Sequence, residues 1–299
     1  MVLALLGPTA SGKSDLAVAI ARRRIAAGHP TELVAIDAFT VYRGMDVATA
    51  KPDPADRDEV PHHMVDVCDP WEELTVADFQ RRARTAIADV RGRGATPLLV
   101  GGSGLYWRAV VDDLRFPPTD AVVRAAIEAR WSGDPHGAHT HLASIDPDAA
   151  AGITPDNLRR TVRALEVIEL TGERFSTFGA VWDRYDAVYD DLEVAYVEPS
   201  SEVLRASIQR RARAMAAGGL LDEAAALRAL PRPLSRTAMQ AIGYAEAFEV
   251  LDGDLAVAAL PETIAARTWR FAKRQRSWFR TDPRCTPADR DQILGRLSG

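Results

Sequence analysis

The residues Gly7-Pro8-Thr9-Ala10-Ser11-Gly12-Lys13-Ser14 carry the spacing G-x-x-x-x-G-K-[ST] in full. The chemistry this spacing serves is phosphate binding. Gly12 lets the backbone curl so that several N–H groups face one phosphate, reinforced by the N-terminus of the helix that follows. Lys13 contributes a point charge, and the Ser14 hydroxyl is the metal ligand of such loops, bridging Mg²⁺ and phosphate oxygens. ATPases and kinases built on this loop usually place a carboxylate at the end of a second hydrophobic strand to hold Mg²⁺. Here the run Pro97-Leu98-Leu99-Val100 ends in Gly101-Gly102-Ser103-Gly104 and offers none. The only strand-end acid near the loop is Asp37, which suits a diphosphate site beside a carboxylate with another task.

These residues must be positioned by the elements around them. Val2–Leu6 reads as a buried strand, Asp15–Arg24 as a helix with apolar positions at Leu16, Ala17, Ile20 and Ala21, and Leu33–Ile36 as a second strand ending on Asp37. Thr75 caps a long helical stretch to Arg93, with Asp78 three residues on, and Pro97–Val100 is a third strand. The strand–helix alternation predicts an α/β fold, a P-loop NTPase-like parallel sheet with helices on both faces. Ligands in such sheets sit at the carboxyl ends of the strands, so the loop, Asp37 and the segment from Gly101 should converge.

From about Phe116 to Asp190 the pattern turns helical, at 120–131 and 157–171, between Gly/Pro/His-rich connections. This block reads as a helical subdomain over 116–190 inserted into a core of 1–115 and 191–299. Strand character returns at Glu193–Val197, and the C-terminal region is helical at 200–217, 221–230, 236–251 and 261–280. His136, His139 and His141 lie in a Gly/Pro segment without Cys or acidic ligands at metal-site spacing.

The 299 residues have no apolar run long enough to span a bilayer and no leader-like segment, and Cys68 and Cys285 are too few for a disulfide framework. A cytoplasmic protein with reduced thiols and no membrane partner is expected. The net charge of −5 hides an uneven distribution. Residues 263–284 hold seven basic side chains and one acid, and 205–213 hold four arginines and no acid, while acids collect at 53–59 and 183–193.

Together, several segments resemble the tRNA dimethylallyltransferases, the isopentenyltransferase family. They are GPTASGKS at 7–14, DAFTVYRGMDVATAKP at 37–52, PHHMVDVCDP at 61–70, GGSGLYWRAVV at 101–111, NLRRTVRALEVIELTG at 157–172, AIGYAEAF at 241–248 and RFAKRQRSWFR at 270–280. They follow the family's order and cover essentially the whole chain. The resemblance implies transfer of the dimethylallyl group from dimethylallyl diphosphate to N6 of the adenosine 3′ of the anticodon in tRNA. Diphosphate would leave from Gly7, Thr9, Ala10, Ser11, Gly12, Lys13 and Ser14, with Mg²⁺ as cofactor. Asp37 would orient the amine and take its proton, and Arg211 would neutralise charge on the leaving group. Ser103 stands where the family more often has Thr, and its hydroxyl would hold a diphosphate oxygen or support Asp37. Contacts to the tRNA anticodon stem-loop are implied at Thr40, at Arg159, Arg160 and Arg163 of the insertion, and at Lys273, Arg274 and Gln275. Trp278, Phe279 and Tyr106 are candidates for stacking or packing. The resemblance gives His62 and His63 a structural or substrate-lining role. A monomer is expected.

Four positions depart from the family's usual residues: Ala38 for Ser, Thr40 for the Gln associated with the target base, Ala48 for Gly and Pro287 for Trp. None removes a group that the chemistry requires. The rival readings are an isopentenyltransferase for free adenine nucleotides, a small-molecule P-loop kinase and a non-catalytic RNA-binding protein. The insertion and basic run disfavour the first, the missing strand-end carboxylate the second, and intact Lys13, Ser14 and Asp37 the third.

Overall fold

In a computed structural model, which describes residues 1–179 and 184–299, the chain opens on β1 (Val2–Leu6), whose five side chains are all buried. A strand covered on both faces must be apolar throughout, and VLALL meets that demand. Alternation then divides it between two cores. Leu3 and Leu5 join one cluster, Val2, Ala4 and Leu6 the other. After β1 come α1 (Lys13–Ala26), β2 (Thr31–Ile36), α2 (Pro54–Glu59), β3 (His62–His63), α3 (Val76–Gly92), β4 (Thr96–Gly101) and α4 (Gly104–Val111). The insertion holds α5 (Ala121–Trp131), α6 (Pro135–Ile145), α7 (Pro147–Ala151), α8 (Leu158–Thr171) and α9 (Phe175–Gly179). The remainder is β5 (Leu192–Val197), α10 (Ser201–Ala217), α11 (Leu220–Arg228), α12 (Arg236–Met239), α13 (Tyr244–Leu251), α14 (Leu260–Thr281), β6 (Pro287–Ala288) and α15 (Arg290–Leu297).

The strands form one six-stranded, wholly parallel sheet in the order β3-β2-β4-β1-β5-β6. On one face α1 and α15 bury Leu16, Ile20, Ile293 and Leu297 against Leu3, Leu5, Leu33 and Leu98. On the other, Phe79, Trp107, Tyr244 and Phe279 pack over Val34, Ile36, Leu99 and Tyr196. The expected α/β sheet with helices on both faces is therefore present.

Two compact units result, residues 1–112 with 187–299 and residues 113–186. Both points of division fall three to four residues earlier in the chain than the expected 115/116 and 190/191, where Val188 N–H donates to Val111 O and Asp112 bridges Ala187 within the first unit. The acidic run expected at 183–193 begins at Asp183, which lies outside the described residues. In the second unit Ile127, Leu142, Ile153, Val162 and Leu165 form a separate core. Its buried Glu166 accepts from the Thr119 hydroxyl and Asp120 N–H, both at 2.8 Å, and from Arg124 and Arg163. Burial opposes its charge, but these donors prevail and hold the carboxyl below its usual range.

Two local expectations are corrected. The His136–His141 segment is not a loop but α6, opened by Pro135 in the first turn and by the Asp134 side chain accepting from Gly137 N–H. The helix expected over 236–251 is broken into α12 and α13, because Gly243 adopts φ 102°. No helix among the described residues is long and apolar enough to cross a membrane.

Candidate active site

The phosphate loop runs directly from β1 into α1. Gly12 takes φ 77° at the helix N-cap, and Ala10 tolerates φ 62°. The N–H groups of Gly12, Lys13 and Ser14 open the helix and make no backbone hydrogen bond among the described residues, so they are available to an anion. Two predicted phosphate donors are otherwise engaged. Gly7 N–H donates to Gly101 O at 3.2 Å, extending the β1–β4 ladder, and Thr9 N–H donates to Gln275 Oε1 at 2.9 Å. The Ser11 hydroxyl is buried without a hydrogen-bond partner among the described residues.

A cavity of about 420 Å³ opens beside the loop, lined by Thr9, Lys13 and Ser14, by Asp37 and Thr40, and by Arg211 and Gln275. Elements remote in sequence thus deliver the predicted cations and the carboxylate to one space. Asp37 Oδ1 accepts from Phe39 N–H at 2.8 Å and Thr40 N–H at 3.3 Å, which fixes the turn after β2. Its other oxygen makes no hydrogen bond among the described residues. The Thr40 hydroxyl is buried without a hydrogen-bond partner among the described residues. From α10, Arg211 donates through Nη1 to Thr9 Oγ1 and through Nη2 to Ala48 O, both at 3.2 Å, while its Nε is buried without a partner among the described residues. Burial lowers the pKa of Lys13 to about 8, against the attraction of Asp37 and with the repulsion of Arg211. Burial likewise lowers that of Arg211, with Asp37 opposing. Two cations forced together and desolvated are stabilised by a polyanion placed between them.

Mg²⁺ fits this donor set as a substrate-bound ion rather than a caged one. No group of three or more His, Cys, Asp or Glu suited to a metal occurs among the described residues. Ser14 offers one oxygen at the cavity wall. An ion that keeps several waters and takes its remaining ligands from phosphate needs little more.

The remaining predicted residues have varied surroundings. Ser103 is the N-cap of α4, its carbonyl accepting from Trp107 N–H, and its side chain is not among those lining the cavity. Gln275 is buried and spans the loop: its Oε1 holds Thr9 N–H and its Nε2 donates to Gly102 O at 2.7 Å. It braces the loop from a position that also lines the cavity. Arg163 is spent on Glu166 and on the carbonyls of Pro117 and Pro118, which ties down the insertion's own fold. Arg159 and Arg160 remain exposed. His62 lines the cavity with Nδ1 donating to Val60 O at 2.6 Å, while His63 Nε2 pairs with Glu32. Burial raises both thiols, Cys68 to about 11 and Cys285 to about 12, which leaves neither as a ready nucleophile.

The basic run on α14 and just beyond it is only partly free. Arg267 pairs with Glu246 and Glu249, Arg276 and Arg280 with Glu198, and Arg284 with Asp112 and Asp282. Arg270, Lys273 and Arg274 are exposed without an ion-pair partner among the described residues. A groove of about 430 Å³ between α10 and α14 is lined by Arg205, Arg213 and Arg270, with Arg205 over the Trp269 ring at 4.2 Å. Of the aromatic candidates, Phe279 is core and Tyr106 packs edge-on to Phe79 at 4.6 Å, while Trp278 is exposed. Sequence reasoning missed Trp269, Gln275 as a brace, and Arg290, whose Nη1 donates to Gly12 O at 3.2 Å. No local signal marks such contacts, which depend on how α14 and α15 meet the loop.

Comparison with known proteins agrees with this geometry. A family model described as IPP transferase matches residues 40–282, beginning just after Asp37. A tRNA dimethylallyltransferase of Kineococcus radiotolerans is 49% identical over 95% of this chain and 89% of its own, and that of Thermobifida fusca is 43% identical over 99% and 92%. The crystal structure of a tRNA isopentenylpyrophosphate transferase from Bacillus halodurans superposes with a TM-score of 0.68 at 36% identity, covering 99% of this chain and 94% of that one. A eukaryotic dimethylallyltransferase acting on tRNA gives a TM-score of 0.76 at 26% identity, over 93% and 69%. On these grounds the chain belongs to the IPP transferase family.

Proposed function

We propose that this chain transfers the dimethylallyl group from dimethylallyl diphosphate to N6 of the adenosine 3′ of the anticodon in tRNA, releasing diphosphate. One observation carries the reading. Lys13, Arg211 and Asp37 line one cavity, whose wall also includes the apolar Met215, Ile242, Ile264 and Phe271. A diphosphate, a short apolar group and an incoming amine need these three environments.

In this reading Lys13, Arg211 and the N–H groups that open α1 hold the diphosphate and stabilise charge as the allylic C–O bond breaks. Mg²⁺, when bound at the Ser14 hydroxyl, adds Lewis-acid neutralisation of the same oxygens. Asp37 accepts the proton of the exocyclic amine as the new C–N bond forms. The target base leaves a single-stranded loop to reach it, which costs little in RNA. Arg205, Arg213, Arg270, Lys273 and Arg274 supply the phosphate contacts, on the unpaired face of α10 and α14.

The test uses labelled dimethylallyl diphosphate, Mg²⁺ and tRNA with adenosine 3′ of the anticodon. Labelled tRNA is expected. Labelled AMP with unlabelled tRNA would establish the free-nucleotide rival, and phosphate release from ATP without prenyl transfer the kinase. Asp37→Ala is expected to cut turnover about 10²–10⁴-fold, the range for a positioned general base, with diphosphate binding retained.

A further inference from the structure

We infer that Glu223 and Tyr244 are positioning residues that set Arg211 against the leaving diphosphate through the backbone of residues 46–48, an inference that rests on the reading of Arg211 given above. Neither side chain is among those lining the cavity. Glu223, in the first turn of α11, accepts through Oε1 from the N–H groups of Asp46 and Val47, each at 3.1 Å, and through Oε2 from Asp46 N–H at 3.2 Å. The Tyr244 hydroxyl donates a short hydrogen bond to Glu223 Oε1, and its oxygen accepts from Ala48 N–H at 3.4 Å. Three consecutive N–H groups are therefore held on one side by a carboxylate and a phenol.

The carbonyl that follows them, Ala48 O, is one of only two acceptors for Arg211 among the described residues, the other being Thr9 on the phosphate loop. Hung between those two oxygens, the guanidinium keeps Nε without a partner among the described residues. Moving Ala48 O moves the cation. Burial and the neighbouring carboxylate keep the Tyr244 phenol protonated, so it stays a donor to Glu223 across the working pH range. The Ala48 methyl also lies where a Cβ on Gly243 would fall, 2.5 Å away, so the start of α13 abuts the same segment. A loop on the active-site rim is thereby registered to two helices by hydrogen bonds the reaction itself does not use.

The test compares the full chain with Glu223→Ala, Tyr244→Phe, Arg211→Gln and the two double variants. The readouts are kcat and KM with dimethylallyl diphosphate and tRNA, the Kd for inorganic pyrophosphate with Mg²⁺, and the Kd for tRNA. Displacement by a fraction of an ångström is expected to lower kcat about tenfold, since a full ångström costs about 10²-fold. Pyrophosphate should bind more weakly, with tRNA affinity unchanged. On the Arg211→Gln background, adding either substitution should cost nothing further. Glu223→Gln, which keeps an acceptor for the backbone N–H groups, should recover most of the lost kcat. An equal loss on both backgrounds would overturn the proposal, as would wild-type kcat in Glu223→Ala while Arg211→Gln is impaired. Arg211→Gln binding pyrophosphate and turning over like wild type would instead remove the reading of Arg211 itself.

Discussion

Lys13 enters the free site with its pKa lowered to about 8, because burial beside Arg211 outweighs the pull of Asp37. A bound diphosphate reverses that balance and recharges the amine. Below about pH 7 binding needs no proton; above about 8 it takes one up, and affinity should fall by up to about tenfold per pH unit. Calorimetric titration of pyrophosphate at pH 9, in buffers of different ionisation enthalpy, should show that uptake, and Lys13→Met should abolish it. The linkage to folding has its own sign. Between about 8 and the ordinary 10.5 the unfolded chain binds the extra proton, so this group makes ligand-free stability rise with pH across that window. At this scale the sequence displays the loop and its Lys13, since the spacing itself encodes backbone geometry. It does not reveal that Gly7 and Thr9 have spent their N–H groups, because the acceptors, Gly101 O and Gln275, belong to other elements.

α14 does two jobs with two faces. Its buried face sends Gln275 between Thr9 N–H and Gly102 O, and its exposed face presents Arg270, Lys273 and Arg274. Gln275→Ala would leave Thr9 N–H without its acceptor, at about 1–3 kcal/mol. It should lower the thermal midpoint and weaken pyrophosphate while leaving tRNA affinity unchanged. Replacing Lys273 and Arg274 by Ala should do the reverse, weakening tRNA binding and flattening its salt dependence by about one unit per lost phosphate contact. α13 supplies a separate test. Gly243→Ala sets a methyl against Ala48 at φ 102°, and the overlap plus the strain should cost about 2–5 kcal/mol, with Ala48→Gly restoring only the overlap part. Elements were legible where periodicity is strong, as in α1, α3 and α8. The break at Gly243 was not, since AIGYAEAF carries a helical pattern and only tertiary contact with residue 48 demands the turn. α6 was hidden by its composition, though Asp134-Pro135 is a helix-start signal.

The insertion leaves and returns through adjacent backbone: Val188 N–H donates to Val111 O in the first unit, and Asp113 N–H to Asp186 O in the second. A change of pattern near 116 and 190 made such a block visible in the sequence, while the points of division follow from those pairings. Replacing residues 114–185 by a short glycine linker should leave the first unit folded and able to bind pyrophosphate in calorimetry. If it unfolds, the insertion is part of the core's stability. The sheet that holds the site also dictates an order of assembly. β1 pairs with β5, Val2 opposite Leu192, and the phosphate loop is braced by Gln275 and Arg290, 266 and 278 positions further on. During synthesis at about 5–20 residues per second, β1 therefore waits roughly ten to forty seconds for its second neighbour, with an apolar edge uncovered. The loop is made long before the residues that brace it, so its final geometry waits for contacts of high sequence separation, the kind that slows folding.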